Sequence, residues 1–150
     1  MRIELLTNER LDEAMVVAKE IHASSIWNKI SYDDDFARKY AAGLINKPQY
    51  GFIQVVIEDE KIVGGVCATI NQYPFSLDKF IDMYILFLKK EYRNRTFAVA
   101  MIKAYIEQAR TYDVKEIRTG VNTPGNFEKV EKLYAWTGFK KTGSSWSISN

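Results

Sequence analysis

The sequence predicts a mixed α/β domain, with one central sheet and helices on both of its faces. Three observations point there. Apolar runs with a period of two alternate with runs of helical period along the chain. Their order reads β-α-α-β-β-β-α-β-α-β-β across residues 1–150, and interleaved strands and helices favour such a layered arrangement. Segment 86–110, LFLKKEYRNRTFAVAMIKAYIEQAR, passes from an apolar strand through a charged turn straight into an amphipathic helix.

Each element has a local reason. Residues 2–6 alternate weakly and read as a short first strand. From Leu11 to about Ile26, the residues Leu11, Ala14, Met15, Ala18 and Ile21 share one helical face, with Asn8 as the expected N-cap. A second helix is expected from Asp33 to about Ile45; Ser31, three before Asp34, approximates a capping box, and Pro48 stops the helix. Residues 51–58 and 61–70 are β-rich and joined by Asp59-Glu60, which reads as a hairpin. A loop holding Pro74 precedes a strand over 79–88, apolar on both faces toward its end and therefore expected to be central. The helix from Arg95 to about Tyr112 presents Phe97, Ala98, Met101, Ile102, Tyr105 and Ala109 to the core. Residues 115–121 form a further strand. Thr123-Pro124-Gly125 turns into a helix ending near Trp136, with Gly138 as its C-terminal glycine. Residues 139–142 and 145–148 are expected to close the fold as a hairpin across Gly143-Ser144.

Length and composition bound the function. A chain of 150 residues is expected to be a single domain with a real core. Its 21 basic and 19 acidic residues nearly balance, which argues against nucleic acid as a partner. No apolar run is long enough to span a bilayer and no signal peptide opens the chain, so a cytoplasmic protein without membrane association is expected. The single cysteine, Cys67, sits in an apolar strand and suits a reducing compartment. With one cysteine and one histidine, His22, the usual structural zinc patterns are excluded, and no metal site is expected. No nucleophile motif accompanies His22.

The basic turn carries the chemistry. A helix start has unpaired amides and the positive end of a dipole, so it attracts anions. Arg93 and Arg95 add charge beside it, with Lys89 and Lys90 just before. A phosphate or pyrophosphate of a nucleotide-like cofactor would suit the place. An ordinary strand-to-helix connection with solvated arginines is the plainer reading.

Two motifs then resemble the GCN5-related N-acetyltransferase (GNAT) family. The family's cofactor loop, Gln/Arg-x-x-Gly-x-Gly/Ala, is matched by Arg93-Asn94-Arg95-Thr96-Phe97-Ala98, with Thr96 in place of glycine. Leu86, Leu88, Glu91, Tyr92 and Arg93 resemble its lead-in. Leu133-Tyr134-Ala135-Trp136-Thr137-Gly138-Phe139 resembles Leu-Tyr-x-x-x-Gly-Phe. The motifs cover roughly residues 80–140 and the element order extends the likeness to the whole chain. The Arg-x-x-Thr variant is similar to that of some phage-encoded members.

The resemblance implies a GNAT-like acyl-CoA N-acyltransferase fold and transfer of acetyl from acetyl-CoA to a primary amine, by direct attack in a ternary complex. The acceptor would be a small molecule or a peptide, and the assembly stays open between monomer and homodimer. Amides from Arg95 to Ala98 would cradle the pyrophosphate, although a Cβ at Thr96 crowds an approach that glycine leaves open. The main chain of Phe87, Leu88 and Lys89 would pair with pantetheine, strand fashion. Asn126, or else Asn122, would contact the cofactor. Tyr134 would donate a proton to the leaving thiolate. Asp82, on the fourth strand, would serve as base or amine anchor, with Glu58 and Asp78 as weaker candidates. Acceptor groups are expected among Trp27, Tyr32, Asp33, Asp34, Asp35, Tyr73 and Trp146, with helix capping as the simpler account of the three aspartates. A catalytically silent module of the same fold, binding CoA or a protein partner, remains the alternative.

Overall fold

The computed structural model of the protein describes residues 1–121 and 127–143. Its strands are β1 (Arg2–Leu5), β2 (Gly51–Glu58), β3 (Lys61–Gln72), β4 (Lys79–Leu88) and β5 (Glu116–Thr119), in that spatial order in one sheet. The first four pair antiparallel, and β5 lies parallel to β4. Helices α1 (Leu11–Ser24) and α2 (Asp34–Asn46) cover one face, and α3 (Arg95–Ala109) and α4 (Phe127–Trp136) the other.

Strand alternation builds both cores. On β2, Phe52 and Val56 join Met101, Ile102 and Tyr105 of α3. Val55 and Ile57 point the other way, to Leu11, Ala14 and Val17 of α1 and Ala41 of α2. Full burial of one such side chain is worth about 1.5–3 kcal/mol, so the two faces together fix the register of the sheet.

The Asp59-Glu60 hairpin forms as expected. Both residues have positive φ, 47° and 59°, which is what a type I′ turn requires. Gly138, at φ 96°, follows α4 as expected.

Several local expectations need correction. Asn8 does not cap α1. Residues Asn8–Arg10 tighten into a 3₁₀ turn, α1 follows without a side-chain cap, and the Asn8 amide instead donates to Asn46 Oδ1 at 3.1 Å. Asp33, not Ser31, caps α2, accepting from the Phe36 amide at 2.8 Å. The helix ends at Asn46 and Pro48 opens a short 3₁₀ turn. Helix α3 ends at Ala109 rather than near Tyr112, and β5 keeps only the residues that pair with β4. The expected closing hairpin lies in part outside the described residues: 139–143 carry no strand there, and 145–148 are not among them. The Thr123-Pro124-Gly125 turn also lies outside them.

Two features of β4 set the geometry of the sheet at this edge. Partners step from Cys67↔Ile85 to Ala68↔Met83, so Tyr84 is an extra, bulged residue. The bulge reverses alternation: Ile81 and Met83 face α3 before it, and Leu86 and Leu88 after it. Pairing with β5 also stops at Met83↔Thr119, while β4 runs on to Leu88. The two strands therefore part just past Met83.

Candidate active site

The parting of β4 and β5 opens a cleft of about 500 Å³. One wall is β4 from Tyr84 to Leu88; the other comprises Gly120, Val121 and one face of α4. Below the fork, the Tyr105 hydroxyl from α3 donates to the Arg118 carbonyl at 2.8 Å and also approaches the Ile81 carbonyl at 3.3 Å, tying β5 to β4. Nothing comparable joins them above Met83 among the described residues.

The open edge of β4 can be read peptide by peptide. The Lys89 amide donates to the Val63 carbonyl at 2.8 Å. Antiparallel pairing alternates, so the peptide groups of Phe87 also turn to β3 and those of Leu86 and Leu88 turn to the cleft. In agreement, the Leu88 carbonyl accepts from Arg93 Nε at 2.8 Å. Five residues of free edge span about 17 Å at roughly 3.3 Å each. An extended chain bearing amides can add there as a further strand.

At the Leu88 end lies the start of α3. Asn94 caps it, accepting from the Phe97 amide at 2.9 Å, and the Ala98 amide donates to the Asn94 carbonyl at 3.2 Å. That leaves the amides of Arg95 and Thr96, at the first two helical positions, without an intrahelical acceptor. The Arg95 guanidinium stacks 3.9 Å from the centre of the Trp136 ring, bridging α3 to α4. Arg93, Asn94, Arg95 and Ala98 line the cleft, as do Lys129 and Lys132 of α4. Anions are attracted here by two arginines and a helix dipole together, and Lys129 and Lys132 add positive charge along the cleft.

At the other end stands Tyr134. It is only 7% exposed, and its hydroxyl donates to the Gly120 carbonyl at 3.1 Å, beside the point where β5 leaves β4. Burial raises its pKa above the usual tyrosine value; a hydrogen bond with Thr119 opposes this and the Asp82 charge reinforces it. The hydroxyl is thus protonated at neutral pH, with its one proton resting on the Gly120 carbonyl.

The expected site residues fall into three groups. Tyr134, Leu88, Phe87, Arg93, Asn94, Arg95 and Ala98 are brought together in the cleft, as is Trp27 from the connection after α1. Lys89, Thr96, Phe97 and Asp82 do not line it. Lys89 is held by Glu20 of α1 at 3.2 Å, and Thr96 is exposed at the start of α3. Asn122, Asn126 and Trp146 lie outside the described residues.

Asp82 lies on β4 between Thr69 and Arg118, two residues before the bulge. It is half-buried, and burial raises its pKa against the opposing charge of Arg118. Glu58 and Asp78 are remote from the cleft: Glu58 pairs with the N-terminal ammonium, and the Asp78 carbonyl closes the β3–β4 turn on Tyr73. Tyr73 packs with Phe80 under the Arg118 guanidinium. Cys67 is buried, with its thiol pushed up to about 12, chiefly by burial, and is unsuited to nucleophilic work.

Sequence reasoning missed Lys129 and Lys132, together with Ser24 and Ser25 at the end of α1. The lysines had a signal. Lys129, Lys132, Leu133 and Trp136 recur at helical spacing, so a basic flank next to the apolar face of α4 was readable.

A forked sheet edge, a basic helix start at one end and a buried tyrosine hydroxyl at the other define a site for an extended, phosphate-bearing molecule. The model of the Acetyltransferase (GNAT) family matches residues 11–139. The chain belongs to that family.

It is 30% identical over 93 residues to human (Homo sapiens) N-acetyltransferase 8, a match covering 61% of this chain and 40% of the relative. The match thus spans well under half of that curated relative's length. Among solved structures, a probable acetyltransferase superposes with a TM-score of 0.77 at 18% identity, covering 100% of this chain and 99% of that one. Aminoglycoside N-acetyltransferase AAC(6')-Iy in complex with CoA gives 0.77 at 16% identity, covering 99% and 93%. The apo aminoglycoside 6'-N-acetyltransferase AAC(6')-IG of Acinetobacter haemolyticus gives 0.74 at 12%, covering 100% and 98%. At these identities the structural likeness speaks for the fold. Among the described residues no helix is long and apolar enough to cross a membrane.

Proposed function

We propose that the protein transfers an acetyl group from acetyl-CoA to a primary amine by direct attack in a ternary complex. The observation that carries this is the cleft itself, whose free β4 edge leads from the basic start of α3 to the Tyr134 hydroxyl. The residues suit the cofactor on chemical grounds. Arg93, Arg95, Lys129, Lys132 and the Arg95 and Thr96 amides suit its phosphates. The peptide groups of Leu86 and Leu88, rather than those of Phe87 and Lys89, suit the amides of the pantetheine arm.

Acetyl-CoA supplies an activated acyl group and a thiolate leaving group. In the transfer a C–N bond forms, a C–S bond breaks, and the amine loses a proton. Tyr134 donates its hydroxyl proton to the departing sulfur. Asp82 takes the amine proton through water, since it lies near the fork without lining it; its raised pKa makes it a better base than an exposed aspartate. The acetyl-carrying end of the cleft is the Tyr84 end, because the phosphates are drawn to the other.

Calorimetric titration with acetyl-CoA, followed by turnover against a panel of primary amines, tests the proposal. Expected are saturable binding and thiol release that depends on an amine. Absence of binding would remove the cofactor assignment, and binding without turnover on any amine would return the fold to a silent module.

A further inference from the structure

Beneath α1 and α2 lies a second cavity, of about 430 Å³. It meets the cleft along a shared wall of Ile21, Ser25, Trp27, Tyr84 and Ile85. That junction is at the bulge, the end of the open edge farthest from the basic helix start. Under the function proposed above, it is where the acyl group is presented.

The lining is apolar and aromatic. Ala18, Ala37, Val55 and Val66 form part of its walls, and Phe36 and Tyr40 part of its rim. Phe36 is 70% exposed and Tyr40 42%. Such apolar exposure beside a cavity favours an apolar occupant. Lysine, arginine and glutamate are absent from the described lining. Its one aspartate, Asp33, is already engaged as the N-cap of α2. A polycation entering here would lose the hydration of several charges and meet only one carboxylate, Asp33, one oxygen of which already caps α2, which is unfavourable.

Two polar atoms lie at the α1 side of this space. His22 Nε2 and the Tyr32 hydroxyl, on residues that line the cavity, have no hydrogen-bond partner among the described residues. Their rings lie 5.2 Å apart. Buried polar atoms normally find partners, so they can orient one polar substituent of a bound molecule.

We propose that this cavity is the acceptor site, and that the acceptor is a primary amine on a single apolar body, aromatic or short aliphatic, rather than a polyamine or amino sugar. At about 30 Å³ per water-sized group, the space holds an aromatic ring with a short side chain. The amine projects to the Tyr84 junction and the body fills the space under the helices. The inference rests on the proposed acetyl transfer for its chemistry but not for its binding.

The test separates the two. Calorimetry measures binding of 2-phenylethylamine, hexylamine, spermidine and kanamycin to the protein without cofactor, and turnover is then measured with acetyl-CoA. Expected are binding of the two apolar amines and a kcat/KM for them at least tenfold above the polycations. Ala37→Phe should fill the cavity and weaken apolar-amine binding at least tenfold while leaving acetyl-CoA affinity unchanged. Ala18→Leu serves as a milder filling variant if Ala37→Phe does not fold. Preference for spermidine or kanamycin, binding of none of the four, or filling variants that still bind apolar amines as the wild type does would overturn the inference. Apolar-amine binding that the filling variants abolish, without acetyl-CoA binding, would support the cavity's selectivity while sinking the transferase reading.

Discussion

Tyr134→Phe removes one oxygen and leaves a ring packed 5.7 Å from that of Phe139. If the hydroxyl assists thiolate departure, turnover falls by about tenfold or more, while stability changes by less than about 2 kcal/mol. Steady-state kinetics and thermal melts check both, and unchanged turnover would make Tyr134 a packing residue. Its raised pKa adds a pH expectation: the wild-type rate should rise with pH as the amine loses its proton and show no loss from Tyr134 ionisation below about pH 10. Asp82 is a second case. Its folded pKa lies above the unfolded value, so its favourable contribution is complete below the unfolded pKa and is lost as pH rises through the folded one. Ionised Asp82 therefore costs stability at neutral pH. Asp82→Asn should raise the melting temperature at pH 7, a gain that disappears on acidification through the carboxylate range. The same variant should lose turnover at pH 7 and regain part of it at higher pH. Wild-type kinetics across the pH series would exclude Asp82 as base.

At the scale of elements, the β2–β3 hairpin holds avoidable strain. Glu60 occupies the left-handed region at φ 59°, where a side chain costs about 1 kcal/mol or more relative to glycine. Glu60→Gly should stabilise the protein by about 1 kcal/mol, read from denaturant midpoints. It forfeits only an exposed pair with Arg2 at 3.4 Å, of a kind worth little. A midpoint that falls would show that this pair outweighs the turn. The start of α3 tests the opposite kind of element, one built for binding. Arg95→Glu reverses a charge in the cleft and dissolves the stack on Trp136. Acetyl-CoA affinity should drop at least tenfold, and more steeply at low salt, because exposed charges are less screened there. Equal affinity at both ionic strengths would place the phosphates elsewhere.

For the whole molecule, the cleft is walled by β4, α3 and α4, together with the end of α1, which meet only in the folded chain. A ligand that binds only the assembled site stabilises all of it. At one hundred times its dissociation constant, acetyl-CoA should add about 2.7 kcal/mol and raise the melting temperature by roughly 5–10 °C. Differential scanning fluorimetry reads this directly, and no shift at saturation would count against the site.

The sequence by itself determined the family, the order of elements through α4, the hairpin at Asp59-Glu60 and the basic start of α3. These rest on spacings of two, three or four residues and on motifs contiguous in the chain. Its motifs also hold Tyr134 and Arg93, which both line the cleft. The tertiary structure decided the rest. Where β5 stops pairing with β4, that Tyr84 is the bulged residue, and that Leu86 and Leu88 turn their peptide groups to the cleft all depend on the register between strands distant in sequence. The cap expected at Asn8 was lost for the same reason, since Asn8 bonds Asn46, a partner 38 residues away. The second cavity was not legible because its walls come from α1, α2 and three strands, and no local pattern records the space that distant elements leave between them.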